Sequence, residues 1–192
     1  MITDNFTTNI ETEIKVMITK AEYENLFAKA HNIFSQINHY YKLTDELCIR
    51  LRKINNEFFI QYKVNNNTEQ LIGLKDKTEY SMNIEEADYI IIKNNPNALW
   101  VYLGKSKISD SFVIYKGSLE TLRANVTLDS SMPDIEIDMN SYKNNIDYEL
   151  EWEIDKSQYN KAVRILKKYG IDIRNRVTGL SKYKRLTESN AC

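Results

Sequence analysis

Four stretches of this 192-residue chain set charged side chains at every second position. Glu11, Glu13 and Lys15 alternate with Ile10, Thr12, Ile14 and Val16, and Arg50 and Arg52 alternate with Leu47, Ile49 and Leu51. Lys63 opposes Ile60, Tyr62 and Val64, and Asp147, Glu149, Glu151 and Glu153 oppose Tyr148, Leu150, Trp152 and Ile154. Side chains on a strand point alternately to its two faces, so each stretch presents one apolar and one charged face. The plain reading is a half-solvated sheet, apolar inward and charged toward water. Segregation of charge type argues for more. Carboxylates gather at both ends of the chain and guanidiniums in the middle, whereas a solubilising surface mixes its signs. Arginine is scarce, 7 against 19 lysines, yet Arg50, Arg52 and Arg123 all fall on alternating strands.

If those faces turn inward, desolvation and mutual repulsion force clustered carboxylates to find cations. Hard divalent ions such as Mg²⁺ or Mn²⁺ take carboxylate oxygens and keep positions for phosphate and water, while Arg and Lys grip the remaining phosphate oxygens. Other chemistries lack their residues. The chain has no GxxxxGK[ST] loop, no HExxH and no glycine-rich dinucleotide turn. His31 and His39 have no neighbour that suits nucleophilic catalysis, and Cys48 reads as a passive small residue on the face of Arg50 and Arg52. Tyr23 and Tyr148 fall on apolar faces, which favours packing over stacking on nucleic-acid bases.

The elements that must position these groups follow from periodicity. Alternation predicts strands over 9–18, 38–44, 46–54, 57–65, 70–81, 99–104, 111–116, 119–129, 134–139, 146–155 and 179–187. Short polar turns such as Asn55-Asn56 favour antiparallel hairpins. Helices are expected over 20–31, opened by a Thr19/Glu22 capping box, then from Asn83 to before Pro96, and from about Asp155 to Tyr169 with Gly170 as the stop. The expected architecture is α+β, an antiparallel sheet with helices packed outside it.

Five glycines, two prolines and no repeat leave no linker to divide the chain, so residues 1–192 are expected to form a single domain. A net charge of −1 gives no bulk attraction to nucleic acid or anionic membrane. Two distant cysteines, Cys48 and Cys192, suggest neither a disulfide framework nor a zinc site and fit a reducing cytoplasm. No signal-like or membrane-spanning apolar window is present.

The ordered set Glu11-x-Glu13-x-Lys15, Arg50-x-Arg52, Lys63, Glu79, Arg123, Asp138, Glu149-x-Glu151 and Lys182 resembles the CYTH superfamily of triphosphate tunnel metalloenzymes over about residues 9 to 186. The resemblance implies a closed antiparallel β-barrel of about eight strands flanked by helices, holding the triphosphate of a small-molecule substrate with Mg²⁺ or Mn²⁺. It implies metal ligation by Glu11, Glu13, Glu149 and Glu151 with Asp138 in support, and catalytic roles for these two glutamate pairs and Lys15. Phosphate would be held by Lys15, Arg50, Arg52, Lys63, Arg123 and Lys182, with Glu79 beside them. Arg185 joins this set, although strand parity over 179–187 sets it on the face opposite Lys182. Glu136 and Glu153 share parity with the site but are read as solvated strand-end charges. The implied activity is loss of the terminal phosphate from tripolyphosphate, thiamine triphosphate or a nucleoside triphosphate. Adenylate cyclisation and polyphosphate binding without turnover are the alternatives, and the tyrosine-bearing sheet exterior leaves room for a homodimer.

Overall fold

The computed structural model describes residues 5–44, 47–66, 71–104, 112–176 and 180–189. Among them are eight strands: β1 (Thr7–Ile18), β2 (His31–Lys42), β3 (Cys48–Ile54), β4 (Glu57–Asn65), β5 (Leu74–Ile84), β6 (Ile114–Val126), β7 (Ile135–Tyr142) and β8 (Asn145–Glu153). Five helices accompany them: α1 (Lys20–Phe27), α2 (Glu86–Asn94), α3 (Leu99–Tyr102), α4 (Tyr159–Lys168) and α5 (Lys182–Glu188). The strands form a closed antiparallel barrel in the order β1-β5-β4-β3-β2-β6-β7-β8, with β1 hydrogen-bonded to both β5 and β8. Closure leaves no sheet edge.

Local chemistry explains most boundaries. Two-residue turns join β3 to β4 and β7 to β8, with Asn55 at φ 51° and Lys143 at φ 52°, the positive dihedrals that tight hairpins demand. Thr19 and Glu22 form the expected capping box of α1. That helix stops at Phe27, short of the expected end at 31, so His31 opens β2 and pairs with Asp134 at 2.9 Å. Asn83 does not cap α2; it stays in β5, and Glu85 precedes the helix without a side-chain cap.

Four expected strands are corrected. Residues 99–104 carry the short helix α3, which follows a 3-10 turn opened by Pro96 and buries Leu99 and Trp100, with Leu103 just beyond its end. The stretches 111–116 and 119–129 are one strand, β6, with residue 111 outside the described residues. Gly117, which reads as a break, lies within it at φ 133°, beside a register shift against Tyr40 and Tyr41, and so makes a bulge. Within 179–187 the described residues form helix α5, capped by the Ser181 hydroxyl, which accepts from the Lys184 amide. The run Lys-Tyr-Lys-Arg mimics a strand's alternation, but Lys182, Arg185 and Leu186 lie at helical spacing.

The apolar core lies outside the barrel wall. The outward residues Ile14, Val16, Ile137, Leu150 and Trp152 pack with Leu26, Ala162, Ile165 and Leu166 from α1 and α4. On the other side Ile49, Leu51, Ile60 and Met82 pack with Tyr89, Ile92, Leu99 and Trp100 from α2 and α3. A third, smaller cluster docks α5, where fully buried Leu186 meets Tyr40, Leu119 and Tyr142. No described helix is long and apolar enough to cross a membrane.

Leu186→Ala should cost α5 about 2–5 kcal/mol of docking, the range for deleting a buried leucine side chain. Amide hydrogen exchange is then expected to accelerate across 182–188 while the strands keep their protection. Unchanged exchange there would show that charge alone holds the helix.

Candidate active site

With the apolar faces turned out to the helices, the alternating charges of β1 and β3 to β8 point into the bore, while β2 contributes the neutral Tyr40. Glu11, Glu13 and Lys15 from β1, Arg50 and Arg52 from β3, Lys63 from β4, Glu79 from β5, Arg123 from β6, Glu151 from β8 and Lys182 from α5 line one cavity of about 380 Å³. Glu149 and Asp138 are fully buried beside it.

The acidic side is built by β7 and β8. Asp138, Glu149 and Glu151 bring one carboxylate oxygen each to within 4.8 Å of one another. Four cations hold them there: Lys15, Lys182, Arg123 and, from behind, Arg185. Lys15 Nζ donates to Glu151 Oε1 at 2.5 Å and stands 3.1 Å from Glu149. Lys182 Nζ donates to Asp138 at 2.7 Å and to Glu151 at 3.3 Å, and ion-pairs with Glu149. Arg123 grips Asp138 through Nε and Nη2, each at 2.7 Å, reaches Glu151 at 2.6 Å and also bonds Glu136. Burial alone would raise the Glu149 carboxyl, but the Lys15 and Lys182 ammonium groups outweigh it and hold it well below the usual carboxylate range. Glu151 is lowered in the same way, with Arg123 adding to the two lysines.

The donor set suits a metal. Three converging carboxylates offer hard oxygens for an ion of the Mg²⁺ or Mn²⁺ type. Glu149 Oε1, buried against the Lys182 ammonium, makes no hydrogen bond. An ammonium already occupies that oxygen, so a metal bound there would take the place of Lys182.

Across the bore the balance tips to cations. Arg50 Nη2 donates to Gln61 at 2.7 Å and to Glu79 at 3.0 Å. Lys63 lies 3.2 Å from Glu79 and also pairs with Glu11, while Lys77 pairs with Glu13. Arg52 donates from Nε to Asn38 Oδ1 at 2.8 Å and meets no carboxylate among the described residues.

The structure thus brings together the residues singled out from sequence, with some redistribution. Glu11 and Glu13 share the cavity but are engaged by Lys63 and Lys77, whereas the converging triad is Asp138, Glu149 and Glu151. Arg185 does not oppose Lys182: both lie on the inner side of α5, and Arg185 donates to Glu149 at 2.7 Å and Asp147 at 2.9 Å. It anchors the acidic side from behind and is not among the residues lining the cavity. Glu136 and Glu153, read as solvated charges, both line the cavity, Glu136 half-buried and Glu153 exposed as expected. Sequence reasoning missed Lys77, which parity with Glu79 would have found, and the neutral residues Asn38, Gln61 and Tyr40, whose inward faces only the register reveals. Cys48 lines the bore with its thiol pushed up to about 12 by burial, which suits a passive residue. His39 points away from it, between Tyr89 at 2.9 Å and Tyr115, and burial pushes it down to about 4.

An antiparallel barrel whose core lies outside its wall and whose bore is lined by matched charges is a tunnel protein. Residues 9–182 match the CYTH domain, and the chain belongs to that family. A search of curated proteins finds no match. Among solved structures it is similar to an adenylyl cyclase candidate from Hippeastrum described as having a dominant triphosphatase activity, with TM-score 0.72 and 19% identity over 94% of this chain and 96% of that one. It is also similar to an adenylate cyclase candidate from Bacillus halodurans, with TM-score 0.68 and 21% identity over 93% and 97%. The PH1819 protein of Pyrococcus horikoshii gives TM-score 0.60 and 18% identity over 94% and 99%. At these identities the likeness is one of fold.

Burial, then Glu11 and Glu136, push the Glu153 carboxyl up to about 7. A raised carboxylate pKa means that the folded state binds its proton more tightly than the unfolded chain, so stability falls as pH rises through the window ending near 7. Glu153→Gln is therefore expected to raise the urea unfolding midpoint at pH 8 and leave it nearly unchanged at pH 5. An equal gain at both values would show that the carboxyl does not hold its proton.

Proposed function

We propose that the chain is a divalent-metal-dependent phosphohydrolase that removes the terminal phosphate of inorganic tripolyphosphate or of an organic triphosphate within the tunnel. The observation that carries this reading is a carboxylate triad that reaches the cavity through Glu151, together with a buried arginine of the same cavity that has no acidic partner among the described residues. The first suits a hard cation and the second a polyanion. A dominant triphosphatase activity in a structural neighbour supports the same reaction class.

In this reading Asp138, Glu149 and Glu151 hold Mg²⁺ or Mn²⁺, with Glu11 and Glu13 on the adjoining strand completing the acidic side. The ion would supply charge neutralisation on phosphate oxygens and a polarised water. Arg50, Arg52, Lys63 and Arg123 bind and orient the phosphate chain, and their charge offsets that developing on the transferred group and the leaving phosphate. Lys15 and Lys182 stand between triad and cavity, where their ammonium groups can reach phosphate oxygens. Arg185 keeps Glu149 ionised and aimed. Burial of these groups preorganises them, so little reorientation is needed when the reaction begins. The substrate is a small molecule, since the chain's net charge of −1 offers nucleic acid no field.

A cyclase reading draws on the same neighbours and differs in its products. Purified protein incubated with Mg²⁺ or Mn²⁺ and a panel of triphosphates is expected to release orthophosphate. Pyrophosphate with a cyclic nucleotide would instead identify a cyclase, and tight binding without turnover a binding module. Glu149→Gln should lower kcat about a hundredfold or more, the scale of losing one electrostatic stabiliser, while Arg52→Ala should act mainly on KM. Wild-type rates in both variants would sink the site assignment.

A further inference from the structure

Among the described residues, each cation lining the cavity reaches a carboxylate, with one exception. Lys15, Arg50, Lys63, Lys77, Arg123 and Lys182 all have acidic partners. Among the described residues Arg52 has an amide as its partner. Asn38 stands directly opposite it across the β2–β3 ladder and accepts from its Nε at 2.8 Å. This cross-strand position is where an aspartate would neutralise the guanidinium.

Asn38 is an expensive residue for its place. It is fully buried, and because its Oδ1 accepts from Arg52, its Nδ2 must be the donor; that donor has no hydrogen-bond partner among the described residues. An unsatisfied buried donor costs stability, and an aliphatic side chain would avoid the cost. An aspartate would cancel the guanidinium charge. A neutral acceptor does what neither can, since it fixes the guanidinium plane and leaves its charge intact. Gln61 plays no such part for Arg50, because Glu79 bonds the same Nη2.

We propose that Asn38 is a positioning residue that orients Arg52 into the bore while leaving its full charge for a phosphate oxygen of the substrate. The inference rests on the triphosphate reading of the cavity and deepens it. The charge so preserved is held at a cost that an anion would relieve: burial, then Arg50 and Arg123, push Arg52 down to about 9, still protonated at neutral pH.

The test is calorimetric titration with inorganic tripolyphosphate, in Mg²⁺ and in EDTA, of wild type, Asn38→Asp, Asn38→Ser, Asn38→Leu, Arg52→Gln and the double variant Asn38→Asp/Arg52→Gln, alongside thermal melts. Asn38→Asp is nearly isosteric and is expected to weaken binding about tenfold or more without lowering the melting midpoint. In the Arg52→Gln background the same change should add nothing. Asn38→Ser keeps a neutral oxygen and should bind more tightly than Asn38→Asp, the reverse of what packing dictates. Should Asn38→Asp not fold, Asn38→Ser binding more tightly than Asn38→Leu carries the same comparison, and equal affinities overturn the proposal. Asn38→Asp binding as tightly as wild type, or weakening both backgrounds equally, also overturns it. Wild type that takes up tripolyphosphate under neither condition overturns the reading of the cavity, and this inference with it.

Discussion

The ion pairing of Lys15 and Lys182 with Asp138, Glu149 and Glu151 is the constraint that the rest of the molecule must satisfy. Taking an ionised carboxylate out of water costs several kcal/mol even after relaxation, and removing one partner of a buried pair strands the other. The barrel meets this by interleaving acids and bases from different strands, so that no carboxylate of the triad lacks a cation. Such a network is weak evidence for stability, because well-packed aliphatic residues would fill the same space at lower cost. Stability is supplied elsewhere, by the two apolar layers between wall and helices. The bore is thus free to be polar because the core has been moved outside.

That division shapes how a ligand could enter. A dication alone at the triad would leave Lys15 and Lys182 facing new positive charge, and a polyanion alone on the arginine side would face Glu79, Glu11 and Glu13. Entering together, the two charges offset each other and let the existing pairs exchange partners within one cavity. The network's near neutrality therefore fits a metal-bound polyanion better than either component by itself.

Much of this was legible in the sequence, and what was not has identifiable causes. Parity placed Glu11, Glu13, Lys15, Arg50, Arg52, Lys63, Glu149 and Glu151 on the correct faces, because a two-residue period survives any tertiary arrangement. It could not say that those faces point inward. A half-solvated sheet has the same alternation, and closure depends on β1 pairing with strands more than sixty and more than a hundred residues away. The family resemblance supplied that step. Glu136 was misread because depth within a barrel is a property of the closed sheet and not of any one strand, while Glu153 stays exposed as read. Gly117 looked like a break because a bulge and a turn use the same residue. The C-terminal segment failed for a different reason: strand parity sets Lys182 and Arg185 on opposite faces where helical spacing puts them together, and their partners lie on β7 and β8, far away in sequence.

That last segment joins the two halves of the design. The same side of α5 buries Leu186 against Tyr40, Leu119 and Tyr142 and extends Lys182 and Arg185 to the acidic strands. Without α5, Glu149 would keep only Lys15 among its present ion-pair partners, and Asp138 only Arg123. Desolvation would then favour protonating at least one member of the triad, and a protonated carboxyl is a poor ligand for a hard cation. The apolar docking of a seven-residue helix and the ionisation of carboxylates on the barrel wall are therefore one coupled equilibrium.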